Sequence, residues 1–219
     1  MSAQTPQTRW AQLTGRVSGS DYAARFDALA TAGQDVHGEA SFCAALVPLP
    51  ARVLDAGCGT GRVAIRLHDL GYHCVGVDVD KSMLDVAMAA RDADSHPAWI
   101  LADLHTLDLD QHGIPGGFDL CVAAGNVIPL LAEGTLERTV LALTATLRPG
   151  GLLVTGFGLD PTHLPRNCPV TTLAAYDNAC MVAGLEHLAR HGTWQGTAPT
   201  ERDGYAVSVH RRTQGEGPG

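Results

Sequence analysis

The chain's 219 residues are 45% hydrophobic, 17% charged and only 5% aromatic, with a formal net charge of −8 at pH 7. That length suits a single domain, residues 1–219, with a substantial and mostly aliphatic core. The negative charge argues against a nucleic-acid partner, scarce aromatics argue against a base-stacking surface, and no run of about 18 apolar residues offers a membrane span.

Met1 to Trp10 is polar and lacks the apolar stretch of a secretory leader, so the chain is expected in the cytoplasm. Tyr22, Phe26 and Leu29 follow helical spacing behind a Ser20 cap, and Glu39 to Val47 reads as a second helix before Pro48. These elements have no strand partners, so residues 1–48 are expected to form a helical lid over the open edge of a cleft. His37 and Glu39 are candidates to orient or deprotonate a substrate there. The same residues also read as a surface turn leading into a helix, with Glu39 in its first turn.

From Arg52 onward strands and helices alternate, which predicts a parallel sheet with helices on both faces. Arg52 to Ala56 reads as a short buried strand and Arg62 to Leu70 as a helix with Val63, Leu67 and Leu70 on one face. Between them lies Asp55-Ala56-Gly57-Cys58-Gly59-Thr60-Gly61. A glycine-rich strand-to-helix turn brings backbone N–H groups close to a ligand. The spacing departs from the dinucleotide fingerprint, because Arg62 stands where the third glycine is required. Asp55 would repel a pyrophosphate but suits a cationic amino group.

His73 to Asp78 is the second predicted strand, followed by a helix boxed by Ser82 and Asp85 that runs to about Arg91. Ala98 to Asp103 and Phe118 to Gly125 are the third and fourth strands. Thr135 caps a helix whose apolar face is Leu136, Val140, Leu143 and Leu147, ended by Pro149-Gly150-Gly151. Gly151 to Gly158 is the fifth strand. Thr171 or Thr172 caps a helix that stops at Gly184, and Leu185 to Trp194 with Gly204 to Arg211 reads as an antiparallel hairpin. Residues 213–219 read as a disordered tail.

The six cysteines form no C-x-x-C pair and suggest a reduced chain, with Cys58 a small residue that fits its loop. Ten histidines include no H-E-x-x-H, and no metal is expected. His105 and His163 lie near strand ends and are expected to be solvated.

Asp55-x-Gly57-x-Gly59-x-Gly61, then Asp78, then Asp103-Leu104, then Leu147-Arg-Pro-Gly-Gly-Leu-Leu-Val154, resembles the ordered segments of the class I S-adenosylmethionine-dependent methyltransferases. The resemblance covers residues 50–158 and, by topology, 172–211. It implies an α/β, three-layer Rossmann-like methyltransferase fold: a mostly parallel seven-stranded sheet with its last strand antiparallel, the core occupying residues 49–212. It implies S-adenosyl-L-methionine as cofactor. Asp55 with Gly57, Cys58, Gly59, Thr60 and Gly61 would hold the methionine part. Asp78 would hold the ribose hydroxyls, with Val79 and Met83 lining the pocket beside it. Asp103 and Leu104 would hold adenine, and Ala124 and Gly125 would pass close to the sulfonium.

The fourth strand runs into Gly125-Asn126-Val127-Ile128-Pro129, which lacks the Asn/Asp-Pro-Pro-Tyr/Phe of nucleic-acid and protein amide methylases. No acid lies between Leu120 and Ala132 to hold magnesium. The Gly-Asn pair is similar to small-molecule methyltransferases of the glycine N-methyltransferase kind, which makes Asn126 a substrate-cleft candidate. The expected function is methyl transfer to an O, N or S nucleophile of a small molecule. Two other readings stand beside it. A nicotinamide-dependent oxidoreductase would share the architecture, although Arg62 and Asp103 argue against it. A non-catalytic S-adenosylmethionine-binding protein would keep the same cofactor residues.

Overall fold

The computed structural model describes residues 7–14, 17–90, 97–200 and 203–214. Three helices come first: α1 (Arg9–Thr14), α2 (Gly19–Thr31) and α3 (Gly38–Leu46). Alternation follows: β1 (Arg52–Ala56), α4 (Arg62–Asp69), β2 (His73–Asp78), α5 (Lys81–Ala89), β3 (Ala98–Leu101) and β4 (Phe118–Ala123). The chain closes with α6 (Val127–Leu130), α7 (Leu136–Thr146), β5 (Leu147–Gly158), α8 (Leu173–Val182), β6 (Leu185–His191) and β7 (Tyr205–Arg212).

The seven strands lie in the order β3-β2-β1-β4-β5-β7-β6, and β7 is antiparallel to both of its neighbours. This is the sheet the resemblance implied. The order reverses between β1 and β4, where an open α/β sheet leaves a crevice at its carboxyl edge. Side chains alternate between two cores. Leu54, Val77, Cys121, Leu153 and Phe157 face α7 and α8, where Val140, Leu143 and Tyr176 meet them. Val53, Leu120, Val122, Val154 and Val207 face α3 and α4, where Cys43, Val63 and Leu67 meet them. Both faces are buried, so the central strands read as unbroken apolar runs.

Glycine is required where Trp99 crosses the sheet. A Cβ on Gly76 would sit 2.4 Å from the indole of Trp99, and one on Gly61 would meet the same ring at 2.4 Å. Gly61 also has a φ of 78°, a left-handed conformation that costs other residues strain. All six cysteines are buried and free.

Several boundaries differ from the sequence reading, each for a local reason. Ser18, not Ser20, caps α2, in a reciprocal box with Asp21; the Ser20 hydroxyl bonds Ser18 instead. Asp80, not Ser82, caps α5: its carboxylate accepts from the Ser82 N–H and hydroxyl at 2.9 and 2.8 Å. Asp85 pairs with Lys81 rather than closing a box. Thr135 stands at the α7 cap position, but its hydroxyl donates to the Ala132 carbonyl. Pro149-Gly150-Gly151 does not separate α7 from the strand. It bulges within β5, between the pairs Phe118–Leu147 and Leu120–Leu152. The third and fourth strands end at Leu101 and Ala123, before the residues expected to close them. Thr172 supplies the α8 cap.

His187 and His191 are spaced four apart, but on an extended strand that spacing separates them by about 13 Å. Among the described residues no group of three His, Cys, Asp or Glu is placed to hold a metal ion. No helix among them is long and apolar enough to cross a membrane. The expected disordered tail falls, from residue 215 onward, outside the described residues, as do residues 1–6 and 15–16 of the expected lid and, at Arg91, the expected end of α5.

Candidate cofactor site

The carboxyl ends of β1, β2 and β4 open on one cavity of about 890 Å³, its mouth included. Asp55, Gly57, Cys58, Gly59, Thr60, Asp78, Val79, Met83, Asp103, Leu104, Ala124 and Gly125 all line it. Of the thirteen residues assigned to cofactor from sequence, Gly61 alone stands outside the lining, under Trp99, where it permits helix–sheet packing.

The loop is shaped by its own backbone. The Gly57 and Cys58 N–H groups both donate to the Val77 carbonyl, at 2.8 and 3.0 Å. A Cβ on Gly57 would lie 2.5 Å from Val127, and the residue has φ 74°, so only glycine fits. Asp55 faces α4, and its carboxylate accepts from the Ala64 N–H at 3.0 Å. It is only 2% exposed. Burial pushes its pKa up to about 7, against the opposing pull of the Ala64 N–H and of Arg62. Cys58 is buried too, and burial carries its thiol well above the ordinary range, which removes it as a nucleophile.

Asp78 does more than end a strand. Its Oδ2 accepts from the Gly59 N–H at 2.7 Å and its Oδ1 from the Asp80 N–H at 2.8 Å. It therefore ties the β1 loop to the β2 loop. Each oxygen keeps a second lone pair, which is what two ribose hydroxyls need. The residue is 9% exposed, and burial raises its pKa despite those amides.

Asp103 lies past the end of β3, where it accepts from the His105 N–H at 3.2 Å and caps a short 3-10 turn, Leu104–Thr106. His105 is not solvated as expected. It is 6% exposed, with Nδ1 2.8 Å from Asp103. The packing of Leu104 and Leu107 into the core pulls it in. His163 is exposed and pairs with Asp160 at 3.0 Å.

The three substrate-cleft candidates are not brought together. His37 is exposed at the N-cap of α3, with no capping bond from its side chain. Asn126 is a structural clamp: its amide donates to the His163 carbonyl at 2.9 Å and accepts from the Gly158 N–H at 2.7 Å. Glu39 binds Arg62 through both oxygens, at 2.6 and 2.8 Å.

The cavity also has walls that the strand-end pattern missed: Thr8, Trp10, Tyr22, Arg62, Val63, Val127, Leu130 and Leu131. Trp10 and Tyr22 come from the N-terminal helices. The Trp10 indole donates to Asp80 at 3.0 Å, and the Gly19 N–H donates to the Ser82 hydroxyl at 3.2 Å. Burial would raise the Asp80 pKa, but the bonds from Trp10 and Ser82 outweigh it and hold the carboxyl below its usual range. Arg62 also donates to the Val36 carbonyl and stacks over Phe26 at 4.5 Å. Tyr22, Phe26 and Leu29, on one helical stripe, are each half-buried; Tyr22 meets Trp10 edge-on at 6.0 Å and Phe26 lies under Arg62.

Residues 53–151 match the methyltransferase domain family. Mouse (Mus musculus) glycine N-methyltransferase is 35% identical over 113 residues, covering 47% of this chain and 39% of that protein. Bovine (Bos taurus) 18S rRNA (guanine-N(7))-methyltransferase is 38% identical over 81 residues, covering 36% of this chain and 26% of that protein. A TehB-like SAM-dependent methyltransferase from Corynebacterium glutamicum superposes with a TM-score of 0.78 at 29% identity, over 89% of this chain and 98% of that one. The match to the mouse protein thus spans about two fifths of its length. Residues 53–151 therefore carry a methyltransferase domain, on the fold of the class I S-adenosylmethionine-dependent methyltransferases, a family whose methyl donor is S-adenosyl-L-methionine. The order of acids and glycines that set the chain apart from nicotinamide enzymes in sequence is the order that lines its cavity.

Proposed function

We propose that this chain transfers the methyl group of S-adenosylmethionine to an O, N or S nucleophile of a small molecule. The observation that carries the reading is the single cavity holding Asp55, the Gly57–Thr60 loop, Asp78 and Asp103 at the strand-order reversal. Those groups match the cofactor part by part. Asp55 suits the ammonium of the methionine moiety. Asp78 suits the ribose diol. Asp103 and the Leu104 N–H suit the adenine edge.

The reaction needs little covalent help. The nucleophile's lone pair forms the bond to the methyl carbon, the carbon–sulfur bond breaks, and sulfur keeps that pair as a neutral thioether. A proton on the nucleophile, where present, leaves to solvent or to a base. The work left to the chain is alignment and exclusion of water. The glycine N-methyltransferase kinship supports a small acceptor, and the charge of −8 disfavours the rRNA class of the bovine relative.

Calorimetry tests the cofactor half. S-adenosylhomocysteine is expected to bind in the micromolar range, about −7 to −8 kcal/mol, and NAD far more weakly. Tighter binding of NAD would overturn the reading. Labelled methyl transfer into a pool of metabolites then separates an enzyme from a silent binder.

The N-terminal helices are proposed as a lid. Trp10 and Gly19 grip the loop carrying Asp80 and Ser82, and Arg62 grips Val36 and Glu39 from below. Amide hydrogen exchange over residues 19–46 is expected to slow at least several-fold when S-adenosylhomocysteine binds. Equal exchange with and without bound ligand would mean that these helices are permanently packed.

A further inference from the structure

A second cavity, about 920 Å³ with its mouth included, opens beside the first. Asp35, Glu39, His163, Trp194, Asp203 and Tyr205 line it. It sits at the carboxyl edge of the sheet, because Tyr205 pairs with Gly158, the last residue of β5. The two cavities share a wall. Arg62 faces the cofactor cavity and Glu39 faces the second one, and the two side chains are bonded at 2.6 and 2.8 Å. Tyr22 on one side and Tyr205 on the other both lie within electrostatic reach of that pair.

Resting on the methyltransferase reading above, we propose that this second cavity is the acceptor site and that it selects a small molecule carrying a protonated amine beside a flat apolar group. The described lining residues hold three carboxylates and no lysine or arginine. Arg62 balances Glu39 from behind, and among the described residues no ion pair joins Asp35 or Asp203. Asp160, beside Gly204 at that rim, is bonded to Thr162 and to His163.

The carboxylates are held in place. Asp35 accepts from the His37 N–H through Oδ1 at 2.8 Å, while its Oδ2 lies over Gly38, 3.3 Å from where a Cβ would stand. Asp203 accepts from the Thr200 N–H and hydroxyl at 2.7 and 2.9 Å. An ammonium, with three donors, can reach the remaining lone pairs. Trp194 is fixed by its bond to the Tyr205 hydroxyl at 3.2 Å and by edge contact with Phe42 at 5.6 Å. A rigid indole beside carboxylates favours an organic cation through its ring quadrupole. An anionic or phosphate-bearing acceptor would meet the same charges as repulsion.

The full chain, saturated with S-adenosylhomocysteine, is titrated with benzylamine, benzyl alcohol and benzoate, which share one ring and differ in charge. Benzylamine is expected to bind at least tenfold more tightly than benzyl alcohol, and benzoate not measurably. Asp35→Asn keeps the acceptor for His37 and is expected to lose three- to tenfold in benzylamine affinity. Its S-adenosylhomocysteine affinity is expected to stay unchanged, which establishes that the variant is folded. Asp203→Asn serves as the second variant with the same expected loss. Equal binding of amine and alcohol, binding of benzoate, no binding of any probe, or full benzylamine affinity in both variants overturns the inference while the cofactor reading survives. Failure of S-adenosylhomocysteine to bind the parent chain overturns both.

Discussion

Replacing Asp78 with alanine is expected to weaken S-adenosylhomocysteine binding by about 10- to 150-fold, that is by ~1.5–3 kcal/mol, the range for a single hydrogen bond to a charged acceptor and so the least expected from a ribose diol. The melting temperature of the cofactor-free chain is expected to move little, although two backbone N–H groups lose their acceptor. Opposing terms decide this. The amide bonds stabilise the carboxylate, but burial raises its pKa in spite of them, so the charged form costs more than the amides return. Gly59 also lines the cavity, where water can reach its freed N–H. Calorimetry for affinity and a thermal melt without ligand check both halves. A large fall in melting temperature with unchanged affinity would make Asp78 a loop tie alone.

The second large effect is a proton linked to cofactor binding. Asp55 has a pKa near 7 in the empty site, raised by burial from an ordinary 3.8. For a carboxyl raised in this way, the stabilising contribution is complete below pH about 4 and is lost as pH rises through about 7, a range worth on the order of 4 kcal/mol. An incoming ammonium favours the ionised form, so binding expels the proton. Affinity for S-adenosylhomocysteine is then expected to fall as the pH drops below 7, approaching tenfold per unit well below it, or roughly 15-fold between pH 7 and 5.5. Titrations in two buffers of different ionisation heat measure the proton released at pH 6. Asp78, also raised, works in the same direction, and Asp55→Asn separates the two by removing most of the release. Affinity that stays flat from pH 5.5 to 8 would mean that Asp55 does not meet the ammonium in its protonated apo form.

Much of the lining of the candidate cofactor cavity was legible because its signals are local. Glycines at every second position and acids at strand ends are each written within a few residues, and the sheet brings those ends together. Three kinds of feature were not. Arg62 binds Glu39 and Val36 across more than twenty residues, so sequence offered it only as a departure from a glycine pattern. Asn126 reads as a substrate group until the end of β5 and the loop after it, through Gly158 and His163, occupy the two ends of its amide. Ser20 reads as the α2 cap, but Ser18 caps the helix in a box with Asp21, and the Gly19 between the two serines packs on Ser82, 63 residues away. Gly61 is the instructive case. It belongs to the motif, yet its missing side chain makes room for Trp99 rather than for a ligand.

The six buried thiols give the chain an internal clock for its own opening. Cys43, Cys58, Cys74, Cys121, Cys168 and Cys180 are all free, and burial raises every one of their pKa values. A thiol reagent therefore reacts only when the fold lets it in. Cys121, in a central strand, reports global unfolding; Cys58, in the loop beside the cavity, reports a local excursion of that loop. The ratio of the two labelling rates measures how much more readily the cofactor loop breathes than the sheet beneath it, and cofactor slows the first without needing to change the second.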